Sequence, residues 1–446
     1  MQAQSAGMTA QLARFIVDTD ASLIPDVVFD HAKVAFMDWF AVTMAGKDEP
    51  LVHKLLRYAE LTGGAEQATI LGHGLKKTIS QAALINGAAS HALDYDDTMA
   101  FFLGHPSVTL FPGLLSLSEW KKINGMDFLA AYIIGLKAGM TIASCAGADH
   151  YAAGWHATST MGHLASAAAC SRLLNLDEQQ TVYALGIAGT QSSGLKRSFG
   201  TMCKPLHAGL ASEAGVMAAL LAGDGFTAAE DIIEGPNGLF QAMKGSVRQD
   251  ILSTLGQTWG IEHIAQKYHA SCHFTHSPIE AALFVFQKQG LAAEDIKSIR
   301  VYVSDTALTA ADKTDARTGL EGKFSIPYCV ANALLRGNTG LQAFSDEKVS
   351  DPLVKDLMRK LHVTADPETQ GMESRIEIET TDGQVHSAFK DIFREIPELD
   401  VKKKKISAKF ADLCEPVLGA DKTQKLMDAF LSLEKIENLA TLIKML

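Results

Sequence analysis

The segment PDVVFDHAKVAFMDWFAVTMAG, residues 25–46, carries a clear helical pattern. A proline stands at its start and a glycine at its end, which is the order that helices prefer. Apolar side chains recur every three or four residues, so they share one face of a helix. This face comprises Val28, Ala32, Ala35, Phe36, Trp39 and Val42. The segment therefore predicts a helix that packs by one apolar face against its neighbours.

Helical patterns continue along the chain, and many are rich in Ala and Gly, whose small side chains let helix backbones approach closely. Asp177 with Gln180 resembles a capping box that opens one of these helices. The apolar stretch 128–148 contains Lys137 and predicts a buried helix and no membrane span. The predicted helices lie near residues 78–93, 107–124, 126–148, 158–174 and 207–222. We expect a dense all-helical domain over residues 1–268.

The periodicity changes in the later part of the chain. Residues 299–303 and 376–380 alternate between apolar and polar side chains, which is the period of a β-strand. A turn follows, and residues 385–389 are expected to pair back as a hairpin. Residues 269–404 therefore predict a smaller α+β lid domain, and the helical pattern returns over 405–446. The predicted fold class is mainly α, with the lid inserted into the helical domain.

Composition excludes several classes of protein. The 446 residues carry a net charge of −11, which argues against a nucleic-acid surface but leaves small anionic substrates open. The one basic run, Lys402–Lys405, predicts a solvated linker. The six cysteines form no CxxC pair, and residues 1–9 lack the pattern of a signal peptide. We therefore expect a cytoplasmic protein without a disulfide scaffold.

The first cluster of chemically active residues is His91-Ala-Leu-Asp94-Tyr-Asp-Asp-Thr98, followed by His105-Pro-Ser107. Three carboxylates at the end of a predicted helix are locally unfavourable, because the helix dipole prefers cations there. One interpretation is a solvated acidic turn. The other is a site in which the carboxylates orient histidines or bind a cation.

Two further clusters place a charged or titratable residue before a predicted helix. In Gly154-Trp-His-Ala-Thr-Ser-Thr160, His156 precedes a helix start and could move a proton, or it could simply be a capping residue. In Cys203-Lys-Pro-Leu-His207, Lys204 precedes a helix opened by proline. It suits a clamp for a carboxylate, although a surface lysine is the plainer interpretation.

The fourth cluster, Tyr268–His276, holds three histidines and one cysteine. Cys272 and His276 have a spacing that zinc ligands use, but no HExxH or paired CxxC supports a zinc site. The chain also lacks GxGxxG after a strand, the phosphate-binding GxxxxGK[ST] and the GxSxG elbow. What remains is His, Asp and Lys, a set suited to general acid–base catalysis on an anion.

Together the four clusters resemble the MmgE/PrpD family, which includes 2-methylcitrate dehydratase, cis-aconitate decarboxylase and iminodisuccinate epimerase. The resemblance runs from Asn86-Gly87 to Phe324-Ser-Ile-Pro-Tyr328. It implies a helical domain with an α+β lid, a pocket between them and a homodimer. It also implies that the enzyme needs no metal and no organic cofactor, and that it moves a proton at a carbon beside a carboxylate.

The resemblance also implies roles for individual residues. The matching positions are Asp94, Thr98, His105, His156, Lys204, His276 and Tyr328. Of these, His105 or His156 would be the acid or base, Lys204 the carboxylate clamp, and Asp94 with Thr98 the orienting pair. Two features depart from the family pattern. The lid segment has His269-Ala270 where an aromatic–proline pair is usual, and His273 competes with His276 for the role of lid histidine.

The sequence therefore predicts a cofactor-independent lyase, a dehydratase or decarboxylase, that acts on a small di- or tricarboxylate. An epimerase or isomerase of an imino- or hydroxy-dicarboxylate is the alternative within the family. Two alternatives of another class are a zinc enzyme centred on Cys272, His273 and His276, and a helical binding protein without activity. Neither nucleic acid nor a membrane is an expected partner.

Overall fold

The computed structural model describes residues 7–311 and 313–445. They pack into two compact units. The first unit runs to Gln266 and includes the chain again from Glu398, and the second comprises Lys267–Pro397. Helices account for 62% of the protein and strands for 9%, so the predicted mainly α class is confirmed.

The first unit begins as a succession of helices. They are α1 (Met8–Asp18), α2 (Asp26–Gly46), α3 (Pro50–Thr62), α4 (Ile79–His91), α5 (Ser107–Lys121), α6 (Gly125–Ala152), α7 (Ala157–Leu173), α8 (Glu178–Gln191), α9 (Cys203–Gly223), α10 (Leu239–Met243) and α11 (Gln249–Leu252). The predicted capping box of Asp177 and Gln180 opens α8. A short antiparallel hairpin of β1 (Ala68–Ile70) and β2 (Leu75–Lys77) was not predicted, since its strands have only three residues each.

Aromatic side chains of α2 pack in the middle of this unit. The Phe36 ring lies 5.2 Å from that of Phe111, 5.1 Å from Phe128 and 4.8 Å from Phe430, between ring centroids. These edge-on contacts join α2 to α5, α6 and the end of the chain. The predicted apolar face is therefore buried, and α2 is enclosed on nearly all sides.

The small residues of the helices allow the close packing that the sequence predicts. A Cβ atom on Gly209 of α9 would lie 2.2 Å from the Leu84 carbonyl oxygen of α4, and one on Gly87 would lie 2.8 Å from Gly209 Cα. Two helices of the described chain, α6 and α9, are long and apolar enough to cross a membrane. The apolar window of α6 is 94% buried within the protein, as in a core helix, and that of α9 is 56% buried.

The second unit contains a four-stranded sheet and helices. The strands are β3 (Ile296–Val303), β4 (Leu361–Ala365), β5 (Glu373–Thr380) and β6 (Val385–Asp391), in the order β4-β3-β5-β6. The helices are α12 (His276–Gln289), α13 (Asp305–Ala310), α14 (Gly319–Gly322), α15 (Ile326–Arg336), α16 (Asp346–Val349) and α17 (Pro352–Arg359). The predicted hairpin is present as β5 and β6, while the parallel edge strand β4 was not predicted.

The chain then returns to the first unit as α18 (Leu399–Leu418), α19 (Ala420–Leu431) and α20 (Leu439–Ile443). The prediction that Lys402–Lys405 form a solvated linker is wrong, because these residues belong to α18 and Lys402 is fully buried. Lys402 Nζ donates to the carbonyl oxygens of Glu262 and Ile264, each at 2.8 Å. Burial lowers the pKa of this lysine to about 8.

A buried ion pair also joins α18 to α2. Lys409 Nζ lies 2.6 Å from Asp38 Oδ1, and the two side chains are 4% and 1% exposed. The same ammonium donates to the Tyr95 carbonyl oxygen at 2.7 Å and lies over the Tyr95 ring. The returning helix therefore supports the turn that carries the first cluster.

Candidate functional site

The acidic cluster forms a tight turn after α4. A capping box of Thr78 and Gln81 opens this helix, which ends at His91. Asp94 has a left-handed backbone with φ of +52°, a conformation that Asp tolerates better than most residues. Thr98 exchanges two backbone hydrogen bonds with Ala265, of 3.0 and 2.9 Å. These bonds hold the end of the turn inside the helical unit.

The three carboxylates of the turn have different surroundings. Asp94 is partly exposed and accepts a hydrogen bond from Lys204 Nζ at 2.8 Å. Asp96 and Asp97 are each 1% exposed, so they are not part of a solvated acidic turn. Asp97 accepts from the Ser107 hydroxyl, and that hydroxyl lies 2.8 Å from the Tyr132 hydroxyl. Burial, reinforced by the charges of Asp38 and Asp96, raises the pKa of Asp97 to about 8.

The Asp96 carboxylate lies between two imidazoles. His91 Nδ1 is 2.9 and 3.0 Å from its two oxygens, and His105 Nδ1 is 2.8 Å from Oδ2. Burial alone would raise the pKa of Asp96, but the adjacent His91 and His105 lower it well below its ordinary value. Asp96 is therefore an ionised carboxylate at neutral pH.

His105 reaches this position because the chain before it lies against α7. A Cβ atom on Gly104 would lie 2.5 Å from Thr158 Oγ1, and the His105 backbone N–H donates to that oxygen at 3.2 Å. Burial lowers the pKa of His105 to about 4, and the charge of Lys204 acts in the same direction, while Asp96 opposes both. His105 is therefore neutral near pH 7.

His156 lies just before α7, as the sequence predicts. Its backbone N–H donates to the Gly194 carbonyl at 3.0 Å, and its Nδ1 lies 3.1 Å from His207 Nδ1. Burial, together with the charge of Lys204, lowers the pKa of His156 well below its ordinary value. The ring packs against Phe199 at 4.9 Å, and Lys204 Nζ lies 5.6 Å from the same ring.

The predicted lid residues lie in the second unit. The rings of His273 and His276 meet edge to face at 4.6 Å, and both residues are buried. His276 Nε2 lies 3.3 Å from the Ser271 carbonyl oxygen, and burial, with His273 and His269 close by, lowers the pKa of His276 well below its ordinary value. Tyr328 is buried and its hydroxyl donates to the Ala343 carbonyl. Burial raises the pKa of Tyr328 to about 12.

The structure thus brings together Asp94, His105, His156 and Lys204 in the first unit, around the turn that ends at Thr98. Three further residues of this group lie in the predicted clusters but were given no individual role: His91, Asp96 and His207. His91 is the last residue of α4, five positions before Asp96, and His207 follows Lys204 by three positions on one helix. The spacing of Lys204 and His207 was an available signal, since residues three apart share a helix face.

One group of side chains in the described chain is compact enough to hold a metal ion. The ligand atoms of His91, Asp94, Asp96 and His105 lie within 4.8 Å of one another. Tetrahedral zinc ligands about 2.0 Å from the ion are about 3.3 Å apart, whereas His105 and Asp96 approach to 2.8 Å. These direct pairs would have to separate to admit an ion, and Lys204 already supplies Asp94 with a positive charge. The contacts therefore form a hydrogen-bonded network, and the group differs from the alternative zinc set at Cys272.

Comparison with known proteins identifies the family. A model of the MmgE/PrpD N-terminal domain matches residues 10–251, and one of the MmgE/PrpD C-terminal domain matches residues 269–435. The chain belongs to the MmgE/PrpD family. The predicted resemblance is confirmed over both parts of the chain.

The similar MmgE/PrpD proteins of known name are lyases. Cis-aconitate decarboxylase of Aspergillus terreus (strain NIH 2624 / FGSC A1156) is 27% identical, over 99% of this chain and 96% of that protein. Cis-aconitate decarboxylase of Mus musculus is 24% identical over 98% and 93%. The mitochondrial 2-methylcitrate dehydratase of Yarrowia lipolytica (strain CLIB 122 / E 150) is 24% identical over 82% and 76%.

In this MmgE/PrpD chain the network combines one ammonium with several imidazoles that are uncharged near pH 7. Lys204 can attract an anion, and neutral imidazoles can accept a proton from carbon or deliver one after taking it up. Asp96 can support positive charge on an imidazole. The arrangement is therefore suited to moving a proton on a bound carboxylate.

Proposed function

We propose that the protein is a lyase that acts on a small di- or tricarboxylate, without an organic cofactor or a metal, by transferring a proton at a carbon beside a carboxylate. The observation that carries this proposal is the network in which Lys204 faces Asp94, while His105 and His156 lie close by in neutral form. The confirmed family and its named lyases support the reaction type.

An anionic substrate would change the protonation of this network. The positive charge of Lys204 helps to lower the pKa of both His105 and His156. A substrate carboxylate next to Lys204 would offset that charge and raise both pKa values, because opposite charges favour the protonated imidazole. Binding of the polycarboxylate thus favours uptake, by His105 or His156, of the proton that the reaction needs.

Decarboxylation of an unsaturated tricarboxylate is the first reaction to test. Loss of carbon dioxide from a carboxylate one carbon away from a double bond breaks a C–C bond. The electron pair of that bond forms a new double bond to the next carbon. The electrons of the original double bond move to its far carbon, which lies beside another carboxylate and takes one proton from an imidazolium. The products are carbon dioxide and an unsaturated dicarboxylate, and the imidazole regains its proton from solvent. Stabilising the carbanion is the main electrostatic task.

The comparisons favour testing decarboxylation before dehydration. The two cis-aconitate decarboxylases described above match 98–99% of the chain, whereas the 2-methylcitrate dehydratase matches 82%. Dehydration uses the same groups: a base removes the proton beside a carboxylate, and an acid protonates the departing hydroxyl. Epimerisation needs only removal of the proton and its return to the opposite face. The three reactions differ in what leaves after the proton has moved.

The test is mass-spectrometric turnover in deuterated water of a mixture of citrate, 2-methylcitrate, cis-aconitate and an aspartate-derived imine. The expected result is loss of carbon dioxide from one acid with one deuterium in its product. Loss of water or simple deuterium exchange would identify a dehydratase or an epimerase. If no acid reacts and none raises the melting temperature, the proposal is wrong, because a ligand of the native state stabilises it.

Variants of the network provide the control. Lys204→Met should weaken binding of the active acid by about 100-fold, since it removes a partly buried charge from a hydrogen-bonded pair. The matched control is Lys121→Met, which alters an exposed lysine at the end of α5. Full turnover by both Lys204→Met and His156→Gln would contradict the assignment of the site. Stoichiometric zinc in the purified active protein would contradict the metal-free part of the proposal.

We also propose that the protein forms a homodimer through one face of α9. This face carries partly exposed apolar side chains at helical spacing: Leu210, Met217 and Leu221. Such a stripe is unusual on the free surface of a long helix and suits a second copy of the chain. Light scattering should give twice the chain mass. Met217→Lys combined with Leu221→Lys should give a monomer, and an unchanged mass would contradict this face.

A further inference from the structure

The first cluster contains a buried carboxylate that serves two histidines at once. Asp96 is 1% exposed and its oxygens lie 2.8–3.0 Å from the Nδ1 atoms of His91 and His105. A ring nitrogen without a proton would repel an ionised carboxylate at such distances. Each Nδ1 therefore carries a proton: His91 donates it in a hydrogen bond, whereas the His105 contact with Asp96 is close but lacks hydrogen-bond geometry. A ring protonated only at Nδ1 presents the lone pair of its Nε2 atom.

The two rings differ at their Nε2 atoms. His105 Nε2 lies 3.9 Å from Asp94 Oδ1, and 12% of its side chain is exposed. His91 is fully buried, and its Nε2 has no hydrogen-bond partner in the part of the chain that the structure describes. A second proton on His91 would therefore be a buried donor without an acceptor, which is costly. A second proton on His105 has both Asp94 and Asp96 near it.

We propose that His91 is a positioning residue that acts through Asp96: it orients this carboxylate so that His105, and not His91, carries the proton used in the reaction. The proposal rests on the proposed function, because the reaction defines the use of that proton. His91 donates its Nδ1–H to both oxygens of Asp96. It thereby directs the charge of Asp96 at His105 and fixes the tautomer of both rings.

Other charged and titratable groups surround this unit. Asp94 and Lys204 face His105 from the turn and from the start of α9. His156 and His207 are close enough to His91 for a charge on His91 to lower their pKa. The His91 ring is also 4.5 Å from the His105 ring and 6.4 Å from the His156 ring. A positive charge on His91 would thus disfavour protonation of its three histidine neighbours.

The first test needs no substrate. In protein labelled with ¹⁵N-histidine, the ring nitrogen shifts of the free protein report the tautomer of each imidazole, and signals are assigned from single variants. His91 and His105 should both be protonated at Nδ1. In His91→Leu, His105 should lose this fixed tautomer. A His91 protonated at Nε2, or an unchanged His105 in His91→Leu, would overturn the proposal whether or not the protein is a lyase.

The second test uses the polycarboxylate that the protein turns over. His91→Leu should lower kcat by about 30-fold and leave KM within about threefold, since His91 supports an acid and does not contact substrate. The alkaline limb of the rate profile should move to lower pH. His91→Asn, whose amide can still donate to Asp96, should recover most of kcat.

A matched control separates positioning from loss of stability. His150 is equally buried, bonds to the Met243 carbonyl and to Thr160, and is not a neighbour of Asp96. His150→Leu should lower the melting temperature without moving the rate profile. Equal changes in both leucine variants, or no recovery in His91→Asn, would overturn the proposal. If the unaltered protein turns over no polycarboxylate, the proposed function fails, while the nuclear magnetic resonance measurement still decides the role of His91.

Discussion

Replacing Asp97 with asparagine should stabilise the folded protein relative to the unaltered protein, and this gain should grow as pH rises. In the folded protein burial raises the pKa of Asp97 to about 8, against 3.8 for an ordinary aspartate. Between these two pH values the unfolded chain releases the proton while the folded chain keeps it. Stability that depends on Asp97 is therefore fully present below pH 3.8 and is lost as pH rises towards 8. Asparagine resembles the protonated acid, since it offers one donor group and one acceptor oxygen.

The size of the effect follows from the difference in pKa. Each unit corresponds to about 1.4 kcal/mol, so the unaltered protein loses about 1.4 kcal/mol per pH unit from this group. Over the whole interval the loss is about 6 kcal/mol. Asp97→Asn removes this pH-dependent loss of stability and leaves the other titrating groups in place. The difference in unfolding free energy between the two proteins should therefore rise steadily with pH.

Urea unfolding followed by far-ultraviolet circular dichroism at pH 5, 6, 7 and 8 measures this difference. Asp224→Asn is the control, because Asp224 is an exposed carboxyl at the end of α9. Its difference from the unaltered protein should not depend on pH. If the difference in unfolding free energy between Asp97→Asn and the unaltered protein stays constant or falls as pH rises, the assignment of a protonated Asp97 is refuted.

Three other substitutions test the surroundings of the site. Gly104→Ala should lower kcat by about tenfold, because its Cβ would collide with Thr158 Oγ1 and displace His105; steady-state kinetics checks this. Lys402→Met should lower the unfolding free energy by about 2–4 kcal/mol, measured in urea, since one buried and one partly buried carbonyl group lose their donor. Acid should destabilise the protein between pH 6.5 and 4, where unfolded His105 takes up a proton that the folded residue refuses. His105→Gln should reduce this acid loss, and an unchanged acid profile would contradict the low pKa.

The helical part of the fold could be predicted because its signals are local. The apolar face of α2, the Asp177 capping box and the small residues of α4 and α9 can each be recognised within a single continuous segment. The strand β4 and the β1–β2 hairpin are short, and their partners come from distant or brief segments, so periodicity gave little sign of them. Lys402 shows the same limit of local sequence patterns. Only the packed structure reveals that a lysine in a basic run bonds to two buried carbonyls.

The site was predicted unevenly for a similar reason. His105 and Lys204 stand beside Gly or Pro, and His156 lies two positions from Gly154 and Thr158, which marks these three as residues near the starts of helices. His91 and Asp96 are harder to single out: the first is the last residue of a helix, and the second is one of three acidic residues in a turn. Which carboxylate is neutral, which pairs with lysine and which serves two histidines depends on burial and on neighbours far along the chain.

The ion pair between Asp38 and Lys409 has a consequence for how the protein is made. Asp38 leaves the ribosome roughly 370 residues before Lys409, which corresponds to about 20–70 seconds of synthesis. Throughout that interval α2 has a carboxylate at a position destined for the interior and no ammonium to neutralise it. The helical unit therefore cannot form this ion pair until α18 has been synthesised. Its nascent form must wait until the second unit has been synthesised, and a chain that stops before α18 should be a client of chaperones and proteases.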